Sequence, residues 1–257
     1  MKLEPLHTGI LGVNTWIVPI TEKAVFIVDP ACSSLSSDEN VVVDYIEQKG
    51  LVPVAVFLTH GHFDHVMGLK RLKEKWHDIC IAIHSDDAEC IGSNSEFVQK
   101  KFLSSMGAQV PELVSALSSL PEPDVLLKDG MTLDKAVLKE KISCSFLGSE
   151  STCSAGYVLE GLSHWSVIHT PGHSKGSVCY YNAKEKILIS GDTVFYGTYG
   201  RTDLYGGNEE QIKKSICMLL EKLPEDTAVY PGHDAYGFML GSKLFYDRFK
   251  LFQKIYD

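Results

Sequence analysis

The stretch LTHGHFDHVMG, residues 58–68, places His60, His62, Asp64 and His65 within six positions. Imidazoles and carboxylates are the ligands that divalent transition metals take from proteins. Matching residues recur downstream: His173 in HTPGH, Asp192 in ISGD and His233 in YPGH. Each follows an apolar, strand-like run (VAVFL, WSVIH, KILIS, TAVY) and a small or turn-forming residue. If those strands share a sheet, their ends line up along one edge, where loops held by a rigid scaffold build active sites. Gly172, Gly191 and Gly232 would let the backbone turn tightly beside that edge.

Seven ligands could then converge on two ions, His60, His62 and His173 on one, Asp64, His65 and His233 on the other, with Asp192 between them. Such paired ions sit about 3.5–4 Å apart and share a water. No cysteine is among these ligands. Structural zinc sites are closed and commonly cysteine-rich, so an open, catalytic site is expected. The all-nitrogen-and-oxygen set suits zinc, iron or manganese alike, and zinc is the metal expected.

Strand and helix signals alternate around these residues. NTWIVPI and AVFIVDP read as strands joined by a turn, and VAVFL as a short buried strand. Residues 38–49 read as a helix with Ser36 and Ser37 as N-cap candidates and Gly50 closing it. A second helix is expected over 64–76, with Val66, Leu69, Leu72 and Trp76 near one face. Asn208 is expected to cap a helix carrying Ile212, Ile216, Leu219, Leu220 and Leu223 at 3.6-residue spacing. A last amphipathic helix is expected over 242–256, with Phe245, Phe249 and Phe252 on one side. Residues 85–125 are polar, patchily helical and end in two prolines. They read as an insertion capping a single domain of residues 1–257, and as the candidate lid of the site.

The composition, 44% hydrophobic and 22% charged over 257 residues, is that of a globular chain. A net charge of −9 with no basic block argues against nucleic acid as a partner. No signal peptide or membrane-length apolar run is evident, so a cytoplasmic protein acting on a small molecule is expected, with no membrane partner; oligomeric state is left open. Seven cysteines, none in a C-x-x-C pair, read as reduced thiols, although Cys144 and Cys153 could approach across a hairpin. His7, His77, His84 and His164 read as surface or loop residues, and His169 as a packing residue near the site.

The motifs THGHFDH, HTPGHSKGSVCYY, ISGDTVFYGTYGRTDL and VYPGHD span residues 59–234. Together they resemble the metallo-β-lactamase fold superfamily, and within it the glyoxalase II-like, or hydroxyacylglutathione hydrolase-like, branch. The resemblance implies an α/β fold: a four-layer αβ/βα sandwich, two mixed β-sheets with helices outside. It implies the ligand roles above and places Asp29, in IVDP, near the site as a residue supporting a ligand. It also implies a metal-dependent hydrolase of a thioester or related acyl bond, working through a metal-bridging hydroxide, with Asp64 orienting the nucleophile or accepting its proton. A mononuclear iron persulfide dioxygenase, using positions matching His60, His173 or His62, and Asp192, is the alternative. A lactonase or phosphodiesterase is a third. Arg201 in GRTDL either pairs with Asp203 or binds an anionic substrate. The chain departs from glyoxalase II in three places. Only 24 residues follow His233 (234 to 257), too few for the helical domain that grips glutathione; Met67-Gly68 stands where Gly-Gly is usual; and residues 139–161 exceed the usual hairpin.

Overall fold

A computed structural model describes residues 1–107, 110–137 and 155–242. Six strands form the first sheet: β1 (Pro5–Thr8), β2 (Val13–Pro19), β3 (Ala24–Val28), β4 (Val52–Phe57), β5 (Cys80–His84) and β6 (Val125–Leu127), side by side in that order. The first three pair antiparallel, and β3 to β6 pair parallel. A second sheet holds β7 (Trp165–His169), β8 (Val178–Asn182), β9 (Ile187–Gly191), β12 (Ala228–Pro231) and β13 (Phe238–Met239), in the order β13-β12-β9-β8-β7. Here β12 and β9 run parallel and the other pairs antiparallel. A small hairpin, β10 (Val194–Phe195) and β11 (Thr198–Tyr199), hangs off β9.

Alternation along the strands sorts side chains into layers. Phe26 and Phe57 point to the inner face with Trp16, and meet Trp165, Val167, Tyr180 and Ile189 of the second sheet. Phe26 touches Phe57 and Trp165 edge-to-face, each at 5.3 Å between ring centroids. Their neighbours in sequence, Ile27 and Val56, point outward to helices α1 (Val41–Gln48) and α3 (Leu69–Lys75). On the far side, Leu188 and Val229 meet Ile212, Ile216 and Leu219 of α7 (Glu209–Lys222). This is the αβ/βα sandwich with two mixed sheets inside.

Three expectations need correction, two of them helical and one the surface reading of His84. The helix expected from 38 begins at Val41, and neither Ser36 nor Ser37 caps it. Those serines belong to a 3-10 turn, Ser34–Ser36, capped by Ser33 and tied by the Asp38 carboxylate. The helix expected over 64–76 is two: α2 (Phe63–Val66) and α3. At the break, the Gly68 N–H donates to the Pro30 carbonyl, 2.8 Å away, instead of continuing the helical ladder. His84 is buried at the end of β5, covered because that strand lies inside the sheet. Asn208 does cap α7, its Oδ1 accepting from the Gln211 N–H at 2.9 Å.

The segment 85–125 folds as two 3-10 turns, then α4 (Ser95–Ser105) and α5 (Pro111–Leu117), before β6 adds an edge strand at its close. The helix α6 (Ala155–Ser163) leads into β7, so the end of the stretch read as a long hairpin is helical. The helix expected over 242–256 and the Cys144–Cys153 approach lie outside the described residues. Among those residues, Cys32, Cys90 and Cys179 are free thiols, and no helix is long and apolar enough to cross a membrane.

Phe26→Ala would empty the junction of both inner faces. A loss of about 3–5 kcal/mol in unfolding free energy is expected, read by urea denaturation.

Candidate metal centre

The strand ends do converge, but from two sheets. His60, His62, Asp64 and His65 follow β4 of the first sheet, whereas His173, Asp192 and His233 follow β7, β9 and β12 of the second. The condition of one shared sheet is not met, and the two sheets are those the resemblance implied. Stacking the inner faces brings both sets of ends to the same rim. Backbone bonds hold them there: Val178 N–H to the Thr59 carbonyl at 2.8 Å, Gly232 N–H to Gly191 at 2.9 Å, and Asn14 N–H to Gly232 at 2.7 Å.

His60, His62 and His173 form one group whose ligand atoms lie within 4.8 Å of one another; Asp64, His65 and His233 form a second by the same measure. Asp192 lies between them. One of its oxygens, Oδ2, is 3.5 Å from His173 Nε2 and 3.6 Å from His233 Nε2; the other, Oδ1, is 3.5 Å from His65 Nε2. The buried Nε2 atoms of His60, His62 and His173, and Oδ1 of Asp192, have no hydrogen-bond partner. Buried polar atoms normally find one, since leaving one unmade costs about 1–3 kcal/mol. Three of these atoms lie within 4.8 Å of one another and the fourth belongs to the carboxylate between the two groups, a set that suits cations held in place of hydrogen bonds. Gly232 is required by crowding: a Cβ there would lie 2.3 Å from Asp192 Oδ1 and 2.7 Å from His65 Cε1.

A layer of residues behind the ligands fixes them. Asp29, placed near the site by resemblance, accepts from His65 Nδ1 at 2.9 Å and from Thr59 N–H and Oγ1 at 2.8 and 2.6 Å. His173 Nδ1 donates to the Arg201 carbonyl at 2.8 Å. The sequence reading missed Asp87, Asn14 and Gln99. Asp87 is buried and accepts from Gly61 N–H, Ser174 Oγ and Gly176 N–H at 3.0, 2.6 and 2.7 Å, joining the loops that carry His60 and His173. Asn14 donates to the Pro231 and Asp234 carbonyls on either side of His233. Gln99 of α4 donates to the Gly61 carbonyl at 2.8 Å. A polar side chain opening a strand after two glycines (Asn14) is a weak sequence signal; Asp87 and Gln99 offer none.

Arg201 lines the cleft, but its guanidinium is held bidentate by Asp203, at 2.7 and 2.8 Å. His84, Asp86 and His169 also come within ligand reach of one another. Their imidazoles are stacked 4.1 Å apart and tilted by only 13°, so ring lone pairs run side by side instead of converging. His84 Nδ1 already accepts the Asp86 N–H, and His169 Nε2 donates to the Lys175 carbonyl. That trio is a packing contact.

The metallo-beta-lactamase superfamily model matches residues 8–137 and 156–233. The chain belongs to the metallo-beta-lactamase superfamily. Probable metallo-hydrolase YqgX of Bacillus subtilis is 31% identical over 233 residues, covering 91% of this chain and 90% of its own. Hydroxyacylglutathione hydrolase GloC of Haemophilus influenzae is 27% identical, covering 92% of each. The crystal structure of TTHA1623 in a di-iron-bound form superposes with a TM-score of 0.67 at 26% identity, over 95% of this chain and 97% of that one. In a superfamily of metal-dependent hydrolases, these histidine and aspartate groups imply divalent metal ions.

The two groups differ in charge. Burial, reinforced by neighbouring imidazoles, holds His60 and His62 well below the usual histidine range, so both are neutral at pH 7. Burial would lower His65 too, but Asp192, Asp64 and Asp29 outweigh it and lift it to about 10. With Nδ1 donating to Asp29, the extra proton sits on Nε2, below pH 10, and an ion arriving there must displace it. Zinc added to metal-free protein at pH 7 is therefore expected to fill the His60 group with little proton release. Filling the His65 group should release at least one proton and weaken about tenfold per unit of falling pH. Titration calorimetry in buffers of different ionisation enthalpy counts those protons; two proton-silent steps would overturn this charge assignment.

Proposed function

We propose that the protein is a hydrolase of a thioester or related acyl bond, dependent on two divalent ions, zinc by preference, at the seven-residue rim. One observation carries the reading: Asp192 reaches both ligand groups at the floor of an open cleft whose buried nitrogens are otherwise unpartnered. Ions bound there would supply a deprotonated water near neutral pH and polarise a carbonyl. The name hydroxyacylglutathione hydrolase carried by the Haemophilus relative supports the acyl-bond class, and the di-iron form of the solved relative supports a two-ion shell in which iron can replace zinc.

Each residue has a task within that reading. His60 and His62 are held neutral by burial, His173 is oriented by the Arg201 carbonyl, and all three present Nε2 to the rim. Asp64 lines the cleft with Oδ2 3.3 Å from His233 Nε2. Burial alone would raise its carboxyl, but His65 and His233 hold it well below the usual carboxylate range. It stays ionised, able to orient the attacking water. A thiolate leaves readily, so a strong general acid is not needed. The segment 85–125 acts as a cap on a single domain: α4 brings Phe102 against the His62 ring at 4.6 Å, and Phe102 and Met106 wall the cleft.

Metal analysis of protein purified without added metal, joined to assays on S-lactoylglutathione, glutathione persulfide, a lactone, a β-lactam and a phosphodiester, tests the class. Turnover of the thioester is expected. A single iron with oxygen uptake on the persulfide would replace this reading with that of a dioxygenase. Asp64→Asn is expected to cut thioester hydrolysis by about 10²–10⁴ while the circular dichroism spectrum is retained; full turnover would remove the role given to Asp64.

A further inference from the structure

We propose that the cleft selects a neutral, aliphatic acyl group in preference to an anionic, peptide-like one such as glutathione. The inference rests on the acyl-bond reading above. The cleft encloses about 260 Å³, and beyond the ligands its walls are Leu11, Phe63, Phe102, Met106, Phe195 and Leu204. That volume equals about nine waters, room for a short acyl chain. These side chains come from four separate stretches, so the apolar lining is a property of the assembled site and not of one helix face.

Charge points the same way. Among the described residues lining the cleft, Arg201 is the one permanent cation, and Asp203 takes both arms of its fork. A planar guanidinium already engaged bidentately has little left for a carboxylate. Asp234 stands at the same rim and disfavours a second anion. Lys101 and Lys175 line a separate hollow beyond Phe102, shared with Asp86 and Glu89, and Lys101 rests on the Phe97 and Tyr205 rings. Away from the rim, a glutathione carboxylate therefore meets no free side-chain counter-charge among the described residues lining the cleft, whereas a methylene chain gains contact at each step.

The test uses metal-loaded protein and two series. Calorimetry measures binding of acetate, butanoate and hexanoate, whose shared carboxylate leaves the chain as the variable, and of glutathione with its thiol methylated; hydrolysis is followed with N-acetylcysteamine thioesters of the same three chains and with S-lactoylglutathione. Alkanoate affinity is expected to rise about two- to fourfold per methylene, with glutathione no tighter than acetate. Thioester kcat/KM should climb in the same order and exceed that of S-lactoylglutathione. Met106→Glu, at a part-exposed helix end, should flatten the chain-length slope; Leu204→Gln serves if that variant does not fold. A flat series in the unaltered protein, or glutathione binding tighter than hexanoate, overturns the proposal. A steep binding series without any thioester turnover supports the ligand class and overturns the acyl-bond reading alone.

Discussion

Asp29 ends β3 with a left-handed backbone, φ 51°, and turns its carboxylate into a pocket where it is 1% exposed. Three donors meet it there, the Thr59 N–H, the Thr59 hydroxyl and His65 Nδ1. Its own carbonyl accepts the Thr15 hydroxyl at 2.6 Å, so three strands, β2, β3 and β4, are fixed to one residue. A buried carboxylate is tolerable only when so fully bonded, and removing one partner from such a set is far costlier than never having built it. Thr59 immediately precedes His60, and its hydroxyl lies 3.0 Å from His60 Nδ1. The positions of both ligand groups thus pass through one acid that reaches the rim only through its neighbours.

Asp87 performs the corresponding task between the sheets. It enters from the 3-10 turn after β5 and receives N–H groups from loops of both halves of the chain, Gly61 and Gly176. With Asn14 holding the His233 turn, every ligand-bearing loop is tied to a buried side chain from another element. Such support determines ligand orientation, which decides whether imidazole lone pairs converge or merely lie near each other. The stacked pair His84 and His169 shows the difference: the residue types are right, the separation is short, and the geometry does not converge.

The legible part of the site followed from local chemistry. An apolar run, a turn residue and a ligand form a pattern within six or seven residues, and it located the rim at four places. The sheet membership of those strands was not legible, because pairing depends on contacts such as Val178 to Thr59 that join distant stretches. Asp87 was hidden for the same reason, being one acid among several in SDDAE with partners 26 to 89 residues away. The split between α2 and α3 escaped periodicity because Met67 and Gly68 keep helical dihedrals; only one N–H is diverted, to Pro30. Ser36 and Ser37 offered good cap chemistry, but a carboxylate at Asp38 organised a tighter turn ahead of the helix.

Two kinds of element meet at the cleft, and they answer to different constraints. The ligands sit on strand ends, where a displacement would disturb the inner core formed by Phe26, Phe57 and Trp165. The opposite wall comes from α4 and the turns beside it, anchored to the rim by Gln99 and by Phe102 against His62. Met106, Leu11 and Leu204 can change size or polarity without touching a ligand or the Asp29 and Asp87 networks. The strand-end groups are thereby fixed by the sheets, while the wall beyond them draws on the insertion and on loops elsewhere in the chain. One fold can accordingly keep its metal shell while its substrate changes.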